Sequence, residues 1–379
     1  MAKVLIAGGG VAGLSVMGFL RGLGYEVSLV EKAESLRAQG AGLLLGINAM
    51  KILSELGVAE QVIASGQVLK SVKAVDKHGK EIGNTDAVYM EAQTGYKTVA
   101  IHRTALHSIL SESLPNEEIH LGATVSRLEN TEHGVKVTFS DDSCSDYDLM
   151  IAADGIYSET RKLLQQGSQL RYAGYTCWRF VIDRPESIDA HCGQEYWGTG
   201  RRFGVFPLGE NKLYCFATLN AAENDVQYKN LNVERFKELY AEFGGSVPEV
   251  LRSLSQDDVL IHGDLRDQQQ LLLQQKNVVI LGDAAHAATP NMGQGAAMAL
   301  EDAYVLSECL KNESAISLAL QAYEQRRAAR VKQIRDRSYI VGKIGQWESS
   351  LASSIRNSIL RILPKRGLSK DLCKLLMDY

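Results

Sequence analysis

Proline is scarce in this chain, six residues in 379, while glycine is plentiful at thirty-four. That balance excludes a Pro-rich spacer or a collagen-like repeat and favours tight backbone approaches of the kind that cradle a nucleotide. The six cysteines, Cys144, Cys177, Cys192, Cys215, Cys309 and Cys373, show no CxxC or other metal-ligand spacing. No metal site is therefore assigned, and reduced structural thiols of a cytoplasmic protein are the expectation. No stretch reaches the roughly 18 consecutive apolar residues of a membrane-spanning helix. The amino end, Met1-Ala2-Lys3-Val4-Leu5-Ile6-Ala7, runs straight into glycines without the apolar core of a signal peptide. A net charge of only −4 does not advertise nucleic acid as a partner. HExxH, P-loop and nucleophile-elbow patterns are all missing, so hydrolase and kinase readings have nothing to stand on.

The remaining composition, 45% apolar and 23% charged, is that of a folded globular protein. Its length suits two domains, or one domain with insertions. Val4-Leu5-Ile6-Ala7 is a short apolar run of buried-strand type, followed by Gly8-Gly9-Gly10-Val11-Ala12-Gly13. Leu14, Val16, Met17, Leu20 and Leu23 then recur at helical spacing, and Val27-Ser28-Leu29-Val30 forms a second strand ending at Glu31. Strand, glycine turn, helix and strand make a βαβ unit. Helical periodicity returns at 47–56 and 103–114, and 118–121, 124–130, 134–140 and 147–152 have strand character. Residues 171–182 and 194–220 alternate in Tyr, Trp, Phe, Val and Thr, which predicts an antiparallel sheet. From Val278-Val279-Ile280-Leu281 the pattern reverts to strand and then long helix to about residue 343.

Gly8-x-Gly10-x-x-Gly13 permits a tight turn, a close backbone approach to a pyrophosphate and close helix–strand packing, with the phosphates at the helix amino end. Glu31 follows where a carboxylate accepts hydrogen bonds from both ribose hydroxyls and disfavours a 2′-phosphate. This fingerprint alone does not separate NAD from FAD. Two later motifs bear on that choice. Asp154-Gly155-Ile156-Tyr157-Ser158-Glu159-Thr160-Arg161 follows one apolar strand. Gly282-Asp283-Ala284-Ala285-His286 follows another and precedes Thr289-Pro290-Asn291-Met292-Gly293-Gln294-Gly295-Ala296-Ala297. With these three motifs in order, the chain resembles the class A flavoprotein monooxygenases, the para-hydroxybenzoate hydroxylase-like family, from residue 1 to about residue 363.

The resemblance implies an α/β fold: a Rossmann-like FAD-binding domain with an inserted antiparallel-sheet substrate domain and C-terminal helices. FAD binding would fall to residues 1–75, 99–170 and 271–343, with a substrate-domain excursion at 76–98, the substrate domain at 171–270 and a helical region at 344–379. Gly8, Gly10, Ala12 and Gly13 would hold the pyrophosphate and Glu31 with Lys32 the adenosine end. Asp154 would bear on FAD and NAD(P)H, and Asp283 would contact the ribityl chain. Gly293, Gly295 and Ala296 would present backbone at the flavin edge, where small residues also let a flat ring lie close. Arg103 would approach the phosphates and flavin unless it is a surface arginine, and Val125 would offer a backbone contact to adenine. Gly42, in Gly40-Ala41-Gly42, would belong to a flavin-contacting loop or to a plain turn. His286 sits inside the flavin motif and is expected to be structural rather than a general base.

The activity implied is oxygenation with NAD(P)H and O2, through a flavin hydroperoxide, of a small aromatic substrate. Two branches of the family are most similar. In the urate hydroxylases an arginine and a tyrosine at the places of Arg202 and Tyr214 polarise the substrate, although here a strand-surface ion and a sheet aromatic are equally good readings. The alkylquinolone 3-hydroxylases also share Cys177-Trp178-Arg179 and Val341-Gly342-Lys343-Ile344-Gly345-Gln346-Trp347-Glu348-Ser349. Both branches point to a nitrogen-heterocyclic ring. An epoxidase, another flavin oxidoreductase and a flavin-free scaffold of the GDP-dissociation-inhibitor type are the competing classes. Residues 321–379 hold 13 Lys and Arg against 5 Asp and Glu. Within them Leu351, Ile355, Ile359, Ile362 and Leu363 form a helical stripe beside Arg356, Arg361, Lys365 and Arg366, a pattern that either packs on its own domain or makes peripheral contact with a membrane.

Overall fold

The computed structural model describes residues 2–36, 42–114, 118–132, 134–165, 170–363 and 365–379. Strand Lys3–Ala7 lies inside a six-stranded sheet, with Glu26–Glu31 on one side and Leu149–Ala152 on the other, both parallel to it. Val278–Ile280 and Ile119–Leu121 extend the parallel set, and Gln274–Gln275 runs antiparallel at one edge. Segments far apart in sequence therefore meet in one layer. Strands covered on both faces are written as unbroken apolar runs, and Val4, Leu5, Ile6, Leu149, Met150, Ile151, Val278, Val279 and Ile280 are all fully buried.

One face of this sheet carries helices Val11–Gly22 and Gly295–Asn312, whose Leu14, Met17, Leu20, Leu300 and Leu306 share a core with Ile6 and Ile151. The other face is covered by a three-stranded antiparallel sheet, Val125–Asn130, Val135–Phe139 and Cys144–Tyr147. Its Val125, Val137 and Tyr147 pack on Leu5, Val30 and Met150.

The alternating segments form the expected antiparallel sheet. Seven strands run in the order Ile261–Gln268, Leu170–Asp183, Lys212–Asn220, Arg201–Pro207, Cys192–Trp197, Ser71–Asp76 and Glu81–Asp86, and only the pair of Cys192–Trp197 with Ser71–Asp76 is parallel. Alternation gives this sheet two unlike faces. On the back, Trp178, Phe180, Phe203 and Leu213 pack against Phe236, Tyr240 and Val250 of helices Val233–Tyr240 and Val247–Ser253. On the front, the register aligns Cys177, Arg179, Thr218, Phe216, Tyr214, Arg202, Gly204 and Phe206. That face meets a small sheet of Gly42–Leu45, Thr98–His102 and Gln67–Leu69 through Leu44, Leu69 and Ala100.

Helix Ile316–Gly345 leads to Ser350–Ile362 and Lys365–Met377. The basic surplus of this region turns inward to a large extent, because Arg327, Arg330, Arg335 and Arg356 are all buried. Arg356 donates to the carbonyls of Ile344, Gly345 and Gly198, and Arg361 pairs with Asp76. The aliphatic stripe of Ser350–Ile362 faces out instead, with Leu351 72%, Ile355 50%, Ile359 51% and Ile362 80% exposed. Among the described residues no helix is long and apolar enough to cross a membrane.

Phe236 is fully buried, and its ring meets those of Trp178, Phe180, Phe203 and Tyr240. Phe236→Ala is expected to destabilise the seven-stranded unit by about 3–5 kcal/mol through lost burial and the cavity left behind. Urea unfolding followed by tryptophan fluorescence measures it; a loss below about 1 kcal/mol would contradict the packing described.

Candidate functional site

The glycine turn divides its work as the spacing anticipates. Gly8 has φ +106°, and a Cβ there would lie 2.4 Å from the Ala153 carbonyl oxygen; one at Gly13 would lie 1.9 Å from the Gly8 carbonyl oxygen. Those two positions close turn, strand and helix onto each other. Above Gly10 the space is open, with nothing within 4 Å of an added Cβ. Gly10 is also the N-cap of Val11–Gly22 and supplies no side-chain cap. The first amides of that helix therefore point into free space, the arrangement that receives a phosphate.

Glu31 steadies the turn. Its Oε2 accepts from the Gly9 N–H at 2.8 Å and its Oε1 from Ala33 N–H at 3.0 Å, leaving each oxygen further lone pairs. Lys32 is exposed beside it. Val125 is buried at the start of the covering sheet, and the nearby Ala123 N–H donates to the Glu31 carbonyl. The buried His107, which carried no sequence signal, donates from Nε2 to the Gly9 carbonyl at 2.7 Å and fixes the turn from the other side.

The other two motifs converge on the same region. Gly8 abuts Asp154, and a Cβ added at Gly282 would lie 3.3 Å from that of Ala12 and 3.5 Å from that of Ala299. Arg161 donates to the carbonyls of Ala284 and Ala285 at 3.1 and 3.0 Å, tying the Asp-Gly motif to the Gly-Asp motif. Asp154 accepts from Thr160 N–H at 3.0 Å through Oδ2, while its Oδ1 is buried with no protein partner. Asp283 is open to solvent yet ringed by protein. Burial pushes its carboxyl above the ordinary carboxylate range, against the pull of His286 and Arg103. An acid that is both accessible and desolvated lines a deep cleft. Arg103, exposed at the start of helix Arg103–Glu112, faces the same cleft closely enough to act on Asp283.

Gly293 adopts φ +63°, and the helix Gly295–Asn312 that follows again lacks a side-chain cap. Gly295 is exposed with nothing within 4 Å of an added Cβ, and Ala296 is half-buried. Two open helix amino ends, an orphaned Asp154 oxygen and a cleft acid at Asp283 fit a dinucleotide carrying a second, flat ring system. Of the expected flavin-contacting loop, Gly40 and Ala41 lie outside the described residues. Gly42 is described: an added Cβ would sit 2.5 Å from the Tyr214 ring.

A fully buried ion network holds this end of the site. Asp302 accepts from His286 Nε2 at 2.5 Å, Gly282 N–H at 2.8 Å and Arg327 Nε at 2.7 Å. Glu301 accepts from Arg327 at 2.8 Å, Arg330 at 2.9 Å and Asn48 at 2.7 Å, and Asn48 also donates to Gln294 at 2.9 Å. His286 is thus a buried structural partner of Asp302. Burial opposes ionisation of both acids, but His286 and Arg327 hold Asp302, and Arg327 and Arg330 hold Glu301, below the usual range. A Glu-Asp pair inside a small-residue helix, followed by Arg327 and Arg330 one turn apart, is the signal from which this network could have been read.

On the front face of the substrate sheet, Arg202 is buried at 2% exposure. It donates to Glu195 at 2.8 Å, Asn291 at 2.6 Å and Gln346 at 3.2 Å. Tyr214 lies in an aromatic floor with Phe206 and Phe216, centroids 6.5 and 6.1 Å away. Glycines make room for that floor: a Cβ at Gly204 would lie 2.1 Å from the Phe216 ring, and one at Gly193 would lie 2.7 Å from that of Phe206. Arg202 pairs across from Thr218, and Tyr214 across from Phe206. Four residues therefore separate the two side chains along the strand, roughly 13 Å. On the same face Arg179 pairs across from Phe216, which places it on the diagonal to Tyr214. Burial pushes the Tyr214 hydroxyl well above the ordinary phenol range, with Arg179 opposing.

The site and fold define a flavin-dependent oxidoreductase, and comparison with known proteins agrees. A family profile described as an FAD binding domain matches residues 1–338, and the chain belongs to that family. It is 35% identical over 361 residues to aurachin C monooxygenase/isomerase of Stigmatella aurantiaca, covering 95% of this chain and 94% of that protein. It is 33% identical over 366 residues to 2-heptyl-3-hydroxy-4(1H)-quinolone synthase of Pseudomonas aeruginosa, with 95% and 94% covered. Its fold is similar to that of Klebsiella pneumoniae HpxO complexed with FAD and uric acid, with a TM-score of 0.91 and 24% identity over 100% of this chain and 97% of that one. The chain is an FAD-dependent monooxygenase.

Removing Arg327 strands two buried carboxylates. Arg327→Met is expected to cost about 3–5 kcal/mol. Both acids have depressed native pKa values, so their contribution is complete above the unfolded carboxylate pKa of about 4 and is lost as pH falls through the native values. Melting temperature measured against pH should therefore drop on the acid side in the wild type and less steeply in Asp302→Asn. Identical acid slopes would contradict the network's role.

Proposed function

We propose that this enzyme uses NAD(P)H and O2 to hydroxylate a carbon of a flat, nitrogen-containing aromatic ring. The observation that carries the reading is the aromatic floor of Phe206, Tyr214 and Phe216, laid over glycines and touching Gly42, on the strand whose Leu44 lies against Gly293. The relatives named for aurachin and for a quinolone support a heterocycle.

Bound FAD supplies the activation of O2. The chain's residues supply position. Gly8 and Gly13 shape the turn, the open amides above Gly10, that of Ala12 among them, would receive the pyrophosphate, and Glu31, Lys32 and Val125 would frame the adenosine. Arg103, Asp154 and Asp283 line the cleft through which the ribityl chain runs. The Gly293 turn, whose own N–H is spent on the Pro290 carbonyl, leads into the uncapped helix start, where the N–H groups of Gly295 and Ala296 would face the ring edge on which negative charge collects. Leu44, Phe206 and Phe216 keep water from the substrate face. An NAD(P)H reductant agrees with a chain that carries a single glycine fingerprint and takes the nicotinamide transiently. Five of the six cysteines are buried and all six are unpaired, which supports a cytoplasmic setting.

The test is NAD(P)H oxidation by the yellow holoenzyme against quinolones, purines, pyridines and phenols, with mass spectrometry for a product heavier by one oxygen atom. Stimulated oxidation with that product is expected. A colourless protein that refuses FAD would favour the scaffold class, and oxygenation of alkenes but not rings would favour an epoxidase.

A second reading concerns the outward stripe Leu351, Ile355, Ile359 and Ile362, next to Trp347 at 40% exposure. We infer that it rests on a membrane surface, which suits an apolar substrate. Because Arg356 and Arg361 are engaged with the protein, the contact is chiefly apolar. Co-sedimentation with phosphatidylcholine vesicles should persist at high salt and be lost in Ile355→Glu; concentration-dependent dimers without vesicle binding would reject it.

A further inference from the structure

Helix Arg103–Glu112 buries Leu106, His107 and Leu110. The two leucines belong to the core that also holds Ile6 and Leu14. An imidazole costs free energy to bury and packs there no better than a third leucine, so its place in that row needs a polar partner. The partner is the Gly9 carbonyl, 2.7 Å from His107 Nε2. A carbonyl can only accept, so Nε2 carries the proton.

Gly9 is the unspecified position of Gly8-x-Gly10, yet side chains hold it at both ends. Its N–H donates to Glu31 Oε2 at 2.8 Å, and its carbonyl accepts from His107. That carbonyl belongs to the same planar unit as the Gly10 N–H. The peptide is trans, so the two groups point to opposite sides of the chain. Drawing the carbonyl onto His107 therefore turns the Gly10 N–H the other way. Nothing lies within 4 Å of a Cβ built at Gly10, and its N–H has no acceptor among the described residues. An amide whose carbonyl is already engaged is also polarised into a better donor. The run of glycines at 8, 9 and 10 makes such control necessary, because a peptide between two glycines has little of its own to fix which way it faces.

We propose that His107 is a positioning residue for the FAD pyrophosphate. It holds the Gly9–Gly10 peptide in the orientation that presents the Gly10 N–H, at the amino end of helix Val11–Gly22, to the phosphates. Its action runs through the backbone and not through contact with the cofactor. The assignment is independent of which ring the enzyme oxidises.

The test follows FAD release from the full-chain holoenzyme on dilution, by the fluorescence of free FAD, together with phosphorus NMR of the bound FAD. His107→Leu keeps an apolar filler and removes the donor, whereas His107→Gln places an amide N–H near the position of Nε2. His107→Leu is expected to release FAD about tenfold faster, the scale of one hydrogen bond whose buried acceptor is left unsatisfied. His107→Gln should stay within about threefold of the wild type. The pyrophosphate resonances should move in the leucine variant and return in the glutamine variant. If His107→Leu does not fold, His107→Asn, whose amide falls short of the carbonyl, takes its place with the same expectation. Unchanged FAD release in the deciding variant overturns the assignment. So does a glutamine variant that releases FAD as fast, which would reduce His107 to a packing residue, and so does faster release with the pyrophosphate resonances unmoved.

Discussion

The whole cofactor side of the molecule hangs on two buried carboxylates, Glu301 and Asp302, and the arginines that neutralise them. Asp302 reaches Gly282 and His286, Glu301 reaches Asn48, and Asn48 reaches Gln294. One ion cluster thereby fixes the relative positions of the Gly-Asp motif and of the helix start that follows Gly293. A buried pair is a weak source of net stability, since desolvation offsets much of its attraction. Its strength lies in geometry: each acid accepts several directional bonds, and moving either motif would orphan a charge. A site that must hold a large ring system against backbone needs that rigidity more than it needs free energy.

The substrate side is organised by the opposite means. There the determining residues are those with no side chain. Gly193 and Gly204 let Phe206 and Phe216 lie flat across the strands, and Gly42 admits the Tyr214 ring. Rings set over glycines leave a smooth apolar surface on which polar groups stand out. Arg202, which stands among them, is neutralised by Glu195.

Much of this was legible from the residues. Strands such as Val278–Ile280 announce themselves because a strand covered on both faces has no polar face to write. The glycine turn and Glu31 stood out because phosphate and ribose recognition needs a fixed spacing, and Asp154 and Asp283 were expected from the family resemblance. What stayed hidden has a common cause in register and packing. Alternation puts Arg179, Arg202 and Tyr214 on one face, but the residues give no means of knowing that Tyr214 aligns with Phe206 and not with the strand position of Arg202. His107 looked like any histidine at a helical position. The surplus of Lys and Arg after residue 320 read as a charged surface, although several of its arginines are interior.

The interleaving of the parallel sheet has a consequence for how the chain is made. Lys3–Ala7, Leu149–Ala152 and Val278–Ile280 are neighbours, so the layer that holds the cofactor consists of long-range pairings whose loop-closure entropy must be met before they stabilise anything. The stretch from Leu170 to Gln268, by contrast, contains most strands of the second sheet and both helices that cover its back. On a ribosome this internal unit emerges and can collapse while Leu149–Ala152 still waits for Val278–Ile280. Synthesis order is therefore the reverse of domain order: the inserted unit is the early folder, and the amino-terminal nucleotide fold is completed last, when the helix bearing Arg327 and Arg330 arrives to neutralise Glu301 and Asp302.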